Sequence, residues 1–191
     1  MRSASDRLHV VGFAGSLRRA SFNRALLRAA AEEVPEGMVL EILDVSKVPV
    51  FNADLEADLP GPVADFQGAI SGADGVLIVT PEYNAGLPGS TKNLVDWSSR
   101  PSGAAAILGK PVALMGATRG SWGTVRAQAQ LRQTLSHIPA YDMKKPEVMV
   151  PHAPQKFDEE GRLSDEDTRR RLRVFMAAFR EWILVLPRMR A

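Results

Sequence analysis

Hydrophobic residues change period several times along the chain, and each change marks a predicted element. Leu8 to Ala14 (Leu-His-Val-Val-Gly-Phe-Ala) is almost continuously apolar, the pattern of a strand covered on both faces. From Ser21 the period becomes helical. Phe22, Ala25, Leu26, Ala29 and Ala30 share one side, with Arg24, Arg28 and Glu32 opposite, and Pro35 and Gly37 stop the helix. Met38 to Leu43 alternates and predicts a second strand. Val48 to Pro62 is a proline-bearing, acidic loop before a short helix over Val63–Ser71. Gly75–Thr80 is the clearest buried strand, and Thr91–Ser99 a third helix carrying Leu94, Val95 and Trp97. After a loop over Arg100–Gly109, Pro111–Ala117 predicts a fourth strand, Gly116–Gly123 a glycine-bearing loop and Thr124–Ser136 a fourth helix. Tyr141–Val150 predicts an edge strand interrupted by Pro146. Ser164 with Asp167 has the spacing of a helix cap. The last helix carries Leu172, Phe175, Met176, Phe179, Trp182, Ile183 and Leu186 on one face.

Strands alternating with helices imply right-handed βαβ units and a parallel sheet covered on both faces. Five strands and five helices fit an α/β, flavodoxin-like three-layer sandwich with strand order 2-1-3-4-5, here a single domain over residues 1–191. The switch point of that order lies between strands 1 and 3, which deliver two unusual loops.

The first loop is Gly15-Ser16-Leu17-Arg18-Arg19-Ala20-Ser21-Phe22-Asn23. It lacks the Gly-Lys-Ser/Thr of a P-loop and the third glycine of a dinucleotide fingerprint. It still offers Ser16, Ser21 and Asn23 as donors, Arg18 as a cation and the N–H groups of a helix start, which suit a phosphomonoester. A capping Ser21 and a solvated Arg18 account for the same residues equally well. The second loop, Pro81-Glu82-Tyr83-Asn84-Ala85-Gly86-Leu87-Pro88-Gly89-Ser90, has Asn84 and Gly86 for positive φ and Tyr83 to lie against a ring. Its irregular path leaves backbone groups free for the edge of a heteroaromatic. In the third loop Thr118 is the best placed donor, and Arg119 can meet a carbonyl edge. Lys92 and Asp96 read as an i,i+4 surface pair, and Asn93 as a brace for the second loop.

Composition narrows the field further. The 191 residues are 45% hydrophobic and 24% charged, the balance of a globular protein. The net charge of +2 is the difference of scattered charges. The tightest basic run, Arg169–Arg171 with Arg173, sits on an amphipathic helix, which argues against nucleic acid. There is no cysteine, hence no thiolate chemistry, and the expected compartment is a reducing cytoplasm. The polar start Met1–Arg7 and the short apolar run after it do not make a signal peptide, and no stretch is long enough to span a membrane. His9, His137 and His152 are isolated, so no metal site is expected.

These residues resemble the NADPH-dependent FMN reductase family, which includes bacterial quinone, azo-dye and chromate reductases. The likeness rests on Gly15-Ser16-Leu17-Arg18 with Ser21 and Asn23. It continues through Pro81-Glu82-Tyr83-Asn84 with Gly86, Pro88, Gly89, Lys92, Asn93, Asp96 and Trp97. Gly109-Lys110-Pro111, Arg126-Ala127-Gln128 and Leu131-Arg132 match as well, and the match runs from about Leu8 to Val150. It implies non-covalent FMN, reduced by NADPH or NADH and reoxidised by quinones, azo dyes, free flavin or metal oxyanions such as chromate. By the same likeness Ser16, Arg18, Ser21 and Asn23, with Leu17 beside them, bind the FMN phosphate. Pro81, Glu82, Tyr83 and Asn84, with Gly86, line the isoalloxazine, while Thr118 and Arg119 lie near it. A homodimer or homotetramer follows, with Arg126 and Glu147 at positions that resemble an inter-subunit ion pair, although Ala129 stands where a tyrosine joins that network. The flavin carries the chemistry, so no side chain is assigned as catalytic. The alternatives are a flavodoxin-type electron carrier, which the basic pI and Arg18 disfavour, and a non-catalytic phosphate- or nucleotide-binding module.

Overall fold

The computed structural model describes residues 7–189; Met1 to Asp6 of the polar start lie outside the described residues. Strands are β1 (Leu8–Ala14), β2 (Met38–Ile42), β3 (Gly75–Val79), β4 (Pro111–Ala117), β5 (Tyr141–Asp142) and β6 (Val148–Val150). Helices are α1 (Phe22–Glu32), α2 (Gly61–Gly72), α3 (Gly89–Ser98), α4 (Val125–His137) and α5 (Glu166–Met189). All pairings are parallel, in the order β2-β1-β3-β4-β5, with β6 also on β4. This is the flavodoxin-like order expected from the alternation of elements.

The strands alternate between two apolar layers. Val10, Leu77, Val79, Ala113 and Met115 face α1 and α5, against Leu26, Ala30, Phe175, Met176 and Phe179. Val11, Phe13, Val76, Ile78, Val112 and Leu114 face the other side, against Ile70, Trp97, Leu131 and Leu135. Buried on both faces, these strands need no polar positions, and their sequence has almost none.

The last strand departs most from a regular element. Only Tyr141–Asp142 and Val148–Val150 pair with β4, the first with Pro111–Val112 and the second with Met115–Ala117. Pro146 has no N–H to give the ladder. The Arg132 guanidinium fills the gap, bonding the Asp142 carboxylate and the Met143 carbonyl. Helix boundaries also shift. α2 begins at Gly61, with Pro62 in its first turn where a missing N–H is harmless, and α3 begins at Gly89 directly after Pro88. The expected cap at Ser164 is displaced by one residue. Asp165 Oδ2 accepts from Thr168 N–H at 2.9 Å, while Ser164 Oγ bonds the Lys156 carbonyl. Asp167 pairs instead with Arg170.

Candidate functional site

β1, β3 and β4 end side by side, so the loops that follow them meet over one edge of the sheet. Between them lies a cleft of about 440 Å³. Ser16, Arg18, Ser21, Phe22 and Asn23 line it from the first loop, and Pro81, Glu82 and Tyr83 from the second. Ala117, Thr118, Arg119 and Gly120 line it from the third. Nine of the residues singled out in the sequence therefore share one wall. Leu17 stands exposed on the rim, and Asn84 and Gly86 belong to a turn away from the lining.

Gly15 holds the first loop against α3. Its N–H donates to Val79 O at 2.9 Å, and the Ser90 hydroxyl bonds its carbonyl. A Cβ there would fall 1.9 Å from Thr91 Oγ1, so only glycine permits this approach. Beyond Gly15 the chain turns away from the sheet. Among the described residues, no N–H group from Ser16 to Phe22 has a protein acceptor. Ser21 caps α1, its Oγ accepting from the N–H groups of Asn23 and Arg24. Ser16 is 4% exposed, and its hydroxyl likewise has no partner among the described residues. Arg18 and Arg119 each bring a guanidinium carbon to 5.8 Å from the Phe22 ring centre, and neither meets a carboxylate among the described residues. A row of free N–H groups at a helix start, flanked by two unneutralised cations, is the donor set a phosphate dianion requires.

The second loop is a tight turn anchored at both ends. Tyr83 and Gly86 exchange backbone hydrogen bonds of 3.2 and 3.0 Å around Asn84 and Ala85, with φ of 49° and 57°. This type I′ geometry needs positive φ at both central residues. Ala85 therefore takes the left-handed conformation expected of Gly86, and Gly86 becomes the bridging residue. The backbone groups of Tyr83 and Gly86 satisfy each other and are not free for a ligand. The N–H groups of Glu82, Asn84 and Ala85 have no acceptor among the described residues. On one side of the turn Glu82 accepts from the N–H groups of Arg126 and Ala127. On the other, Leu87 N–H donates to Gln130 Oε1 at 2.7 Å, one turn further along α4.

Two expected donors have other commitments. The Asn23 amide donates to Ala117 O at 3.0 Å and accepts from Ala117 N–H at 2.9 Å, extending the end of β4 as another strand would. The Thr118 hydroxyl donates to Gly120 O at 3.1 Å and accepts from Gly123 N–H at 3.0 Å, closing its own loop. Both residues shape the wall with donor groups that are already engaged inside the protein. Asn93 braces Pro49–Phe51, not the second loop, while Lys92 and Asp96 form the expected surface pair at 2.6 Å. Within the chain Arg126 pairs with Glu82 and stacks on Trp122 at 4.7 Å, and Glu147 pairs with Lys145. Phe22 escaped the sequence reading because its helical spacing assigned it wholly to the core. Nothing local signals that two arginines from separate loops converge on its ring.

Comparison with known proteins gives the family. The NADPH-dependent FMN reductase family model matches residues 8–155. An NAD(P)H-dependent FMN reductase of Pseudomonas aeruginosa is 42% identical over 180 residues, covering 94% of this chain and 97% of that protein. A 2-hydroxy-1,4-benzoquinone reductase of a Burkholderia species is 38% identical, covering 92% and 96%. Among solved structures, the flavoenzyme FerB of Paracoccus denitrificans, an NAD(P)H:(acceptor) oxidoreductase, superposes with a TM-score of 0.84 at 35% identity, covering 92% and 97%. The chain belongs to the NADPH-dependent FMN reductase family.

Proposed function

We propose that the protein is an NAD(P)H-dependent FMN oxidoreductase that reduces quinones and similar flat acceptors. The observation that carries this reading is the row of N–H groups from Ser16 to Phe22, which have no acceptor among the described residues, beside the guanidinium groups of Arg18 and Arg119, which meet no carboxylate among them. It lies at the switch point of the sheet, next to a second loop rigid enough to present a flat wall. Ser16, Arg18 and Ser21 with those N–H groups would hold the FMN phosphate, and Asn23 keeps that loop seated on β4. Pro81, Glu82 and Tyr83 would border the ring, with Asn84 and Gly86 shaping the turn, Thr118 closing the third loop and Leu17 on the rim. Bound FMN supplies a group that accepts hydride from NAD(P)H and passes electrons to a second substrate. Donors held in place by the fold stabilise negative charge without reorganising, and Arg119 brings a cation to the cleft from the third loop.

The acceptors consistent with an open cleft are quinones, azo dyes, free flavin and oxyanions such as chromate. A homodimer or homotetramer is supported by the large apolar side chains of Leu17, Tyr83 and Trp122, which stand 58%, 52% and 61% exposed on the three loops. A second copy would cover them, and would give Arg126 and Glu147 partners beyond those inside the chain. We read the chain as a single domain over residues 1–191, and the absence of cysteine is in keeping with a cytoplasmic enzyme. Among the described residues, no helix is long and apolar enough to cross a membrane.

The test is spectroscopic. Purified protein is expected to be yellow, to bleach on anaerobic addition of NADPH or NADH, and to turn over with a quinone in steady state. A colourless protein that FMN cannot reconstitute overturns the assignment, and bleaching without turnover points to an electron carrier.

A further inference from the structure

The first and third loops meet at the side chain of Phe22, the first residue of α1. Its ring is backed by the buried Phe157, whose ring centre lies 5.6 Å away at an angle of 37°. Toward the cleft it has Arg18 from its own loop and Arg119 from the third, at equal distances. The backbone on either side of Arg119 is fixed. Thr118 N–H donates to Val150 O at 3.0 Å, Ala153 N–H to Thr118 O at 2.9 Å and His152 N–H to Gly120 O at 2.9 Å. Only the Arg119 side chain is left to move, and it crosses to the first loop. On the ring-bordering wall the Glu82 carboxylate is already taken up by Arg126 and Ala127. Two guanidinium groups around one ring repel each other, and among the described residues no carboxylate offsets that. The N–H groups from Ser16 to Phe22 and the Ser16 hydroxyl, all without acceptors among those residues, lie at the same end of the cleft.

We propose that Arg119 binds the flavin phosphate jointly with Arg18, and that Phe22 is the positioning residue that holds both cations ready for it. The proposal rests on the oxidoreductase reading, because the dianion is that of FMN. An aromatic face attracts a guanidinium group without neutralising it. A carboxylate in the same place would compete with phosphate for both arginines, whereas Phe22 orients them and leaves their charge available. The phosphate then joins the first loop to the third, so that two loops distant in the chain close on the cofactor through one anion. Riboflavin has no phosphate and cannot make that link. Discrimination between the two flavins therefore depends on a residue of the third loop and on an aromatic ring that need not touch the ligand.

The experiment is equilibrium dialysis of the full chain, freed of flavin, against FMN and against riboflavin at low ionic strength. Arg119→Gln is expected to weaken FMN about tenfold, the loss of one charge-assisted contact, and riboflavin by about twofold at most. Phe22→Leu keeps an apolar contact with Phe157 but removes the aromatic face, and should weaken FMN about fivefold with riboflavin little changed. Phe22→Tyr keeps the face and should restore FMN binding. Urea midpoints separate lost binding from lost folding, and Phe22→Met takes the place of leucine should that variant not fold. Arg171→Gln removes an exposed charge on α5 and is expected to leave both affinities unchanged. Equal losses of the two flavins in Arg119→Gln would put Arg119 on the ring, and no loss would put it outside the site; either overturns the proposal. So does a Phe22→Tyr chain that folds and yet binds FMN as poorly as Phe22→Leu. A chain that binds neither flavin would instead strike the oxidoreductase reading. Inorganic phosphate, titrated calorimetrically against the unmodified chain and Arg119→Gln, then decides the shared anion: weaker binding in the variant supports it and equal binding refutes it.

Discussion

Glu82 and Arg126 are joined twice, by Arg126 N–H donating to Glu82 Oε2 at 2.8 Å and by Arg126 Nη1 at 3.2 Å from Oε1. Ala127 N–H adds a third bond at 3.1 Å. Thr124, which enters α4 with φ of 70°, makes no side-chain cap. A carboxylate from the β3 loop therefore caps α4, favoured by the positive end of the helix dipole, and fixes the cleft wall to the same helix. The side chain is only 8% exposed, so water replaces these bonds poorly.

Glu82→Ala is accordingly expected to destabilise the fold by about 2 kcal/mol, since it leaves helix-start N–H groups without an acceptor. It should also weaken FMN retention by releasing one anchor of the second loop. Urea denaturation and FMN titration check the two effects separately. Unchanged stability would mean that α4 is capped by other means.

Asn23→Asp should be about as damaging as Asn23→Ala. The aspartate oxygen still accepts from Ala117 N–H, but it faces the Ala117 carbonyl with a second acceptor where the amide donated. Alanine leaves the N–H and the carbonyl of Ala117 both without their side-chain partner, and aspartate leaves the carbonyl unpaired against a buried charge, a loss of about 2 kcal/mol or more in each case. The urea midpoints of the two variants decide this. A harmless aspartate would show that the end of β4 does not depend on the amide donor.

Arg18→Ala is expected to weaken FMN retention about tenfold, the loss of one charge-assisted contact to phosphate. Riboflavin binding should change far less, because riboflavin carries no phosphate. Equilibrium dialysis with both flavins is the measurement, and equal losses would place Arg18 outside the phosphate site.

Asp165 yields a pH-dependent prediction. Its hydrogen bonds to the Thr168 hydroxyl and to Lys156, with the Thr168 N–H, lower its pKa from 3.8 to about 2. A carboxylate with a depressed folded-state value stabilises the native state above its unfolded-state pKa. That stability is lost as pH falls through the folded value. The difference in stability between the unmodified protein and Asp165→Asn should thus be largest above about pH 5 and shrink toward pH 2. Denaturation midpoints across that range test it, and a gap that widens in acid contradicts it.

Burial is written locally and was legible from the chain. Continuous apolar runs in β1, β3 and β4 and the helical spacing of α1 and α5 follow from the need to cover two sheet faces, so strand order and the meeting of the loops followed from pattern alone. Residue types also marked Ser21 as a cap and Lys92 with Asp96 as a pair, because those partners lie within one helical turn. Hydrogen-bond partners distant in the chain were a different matter. That Asn23 pairs with Ala117, that Glu82 caps α4, that Ala85 rather than Gly86 takes positive φ, and that Arg18 and Arg119 share the Phe22 ring all depend on which backbone groups packing leaves unsatisfied. Those groups are identified only once the layers have closed, since a donor's choice among several acceptors is settled by ångström-scale distance and not by the periodicity that brings the elements together.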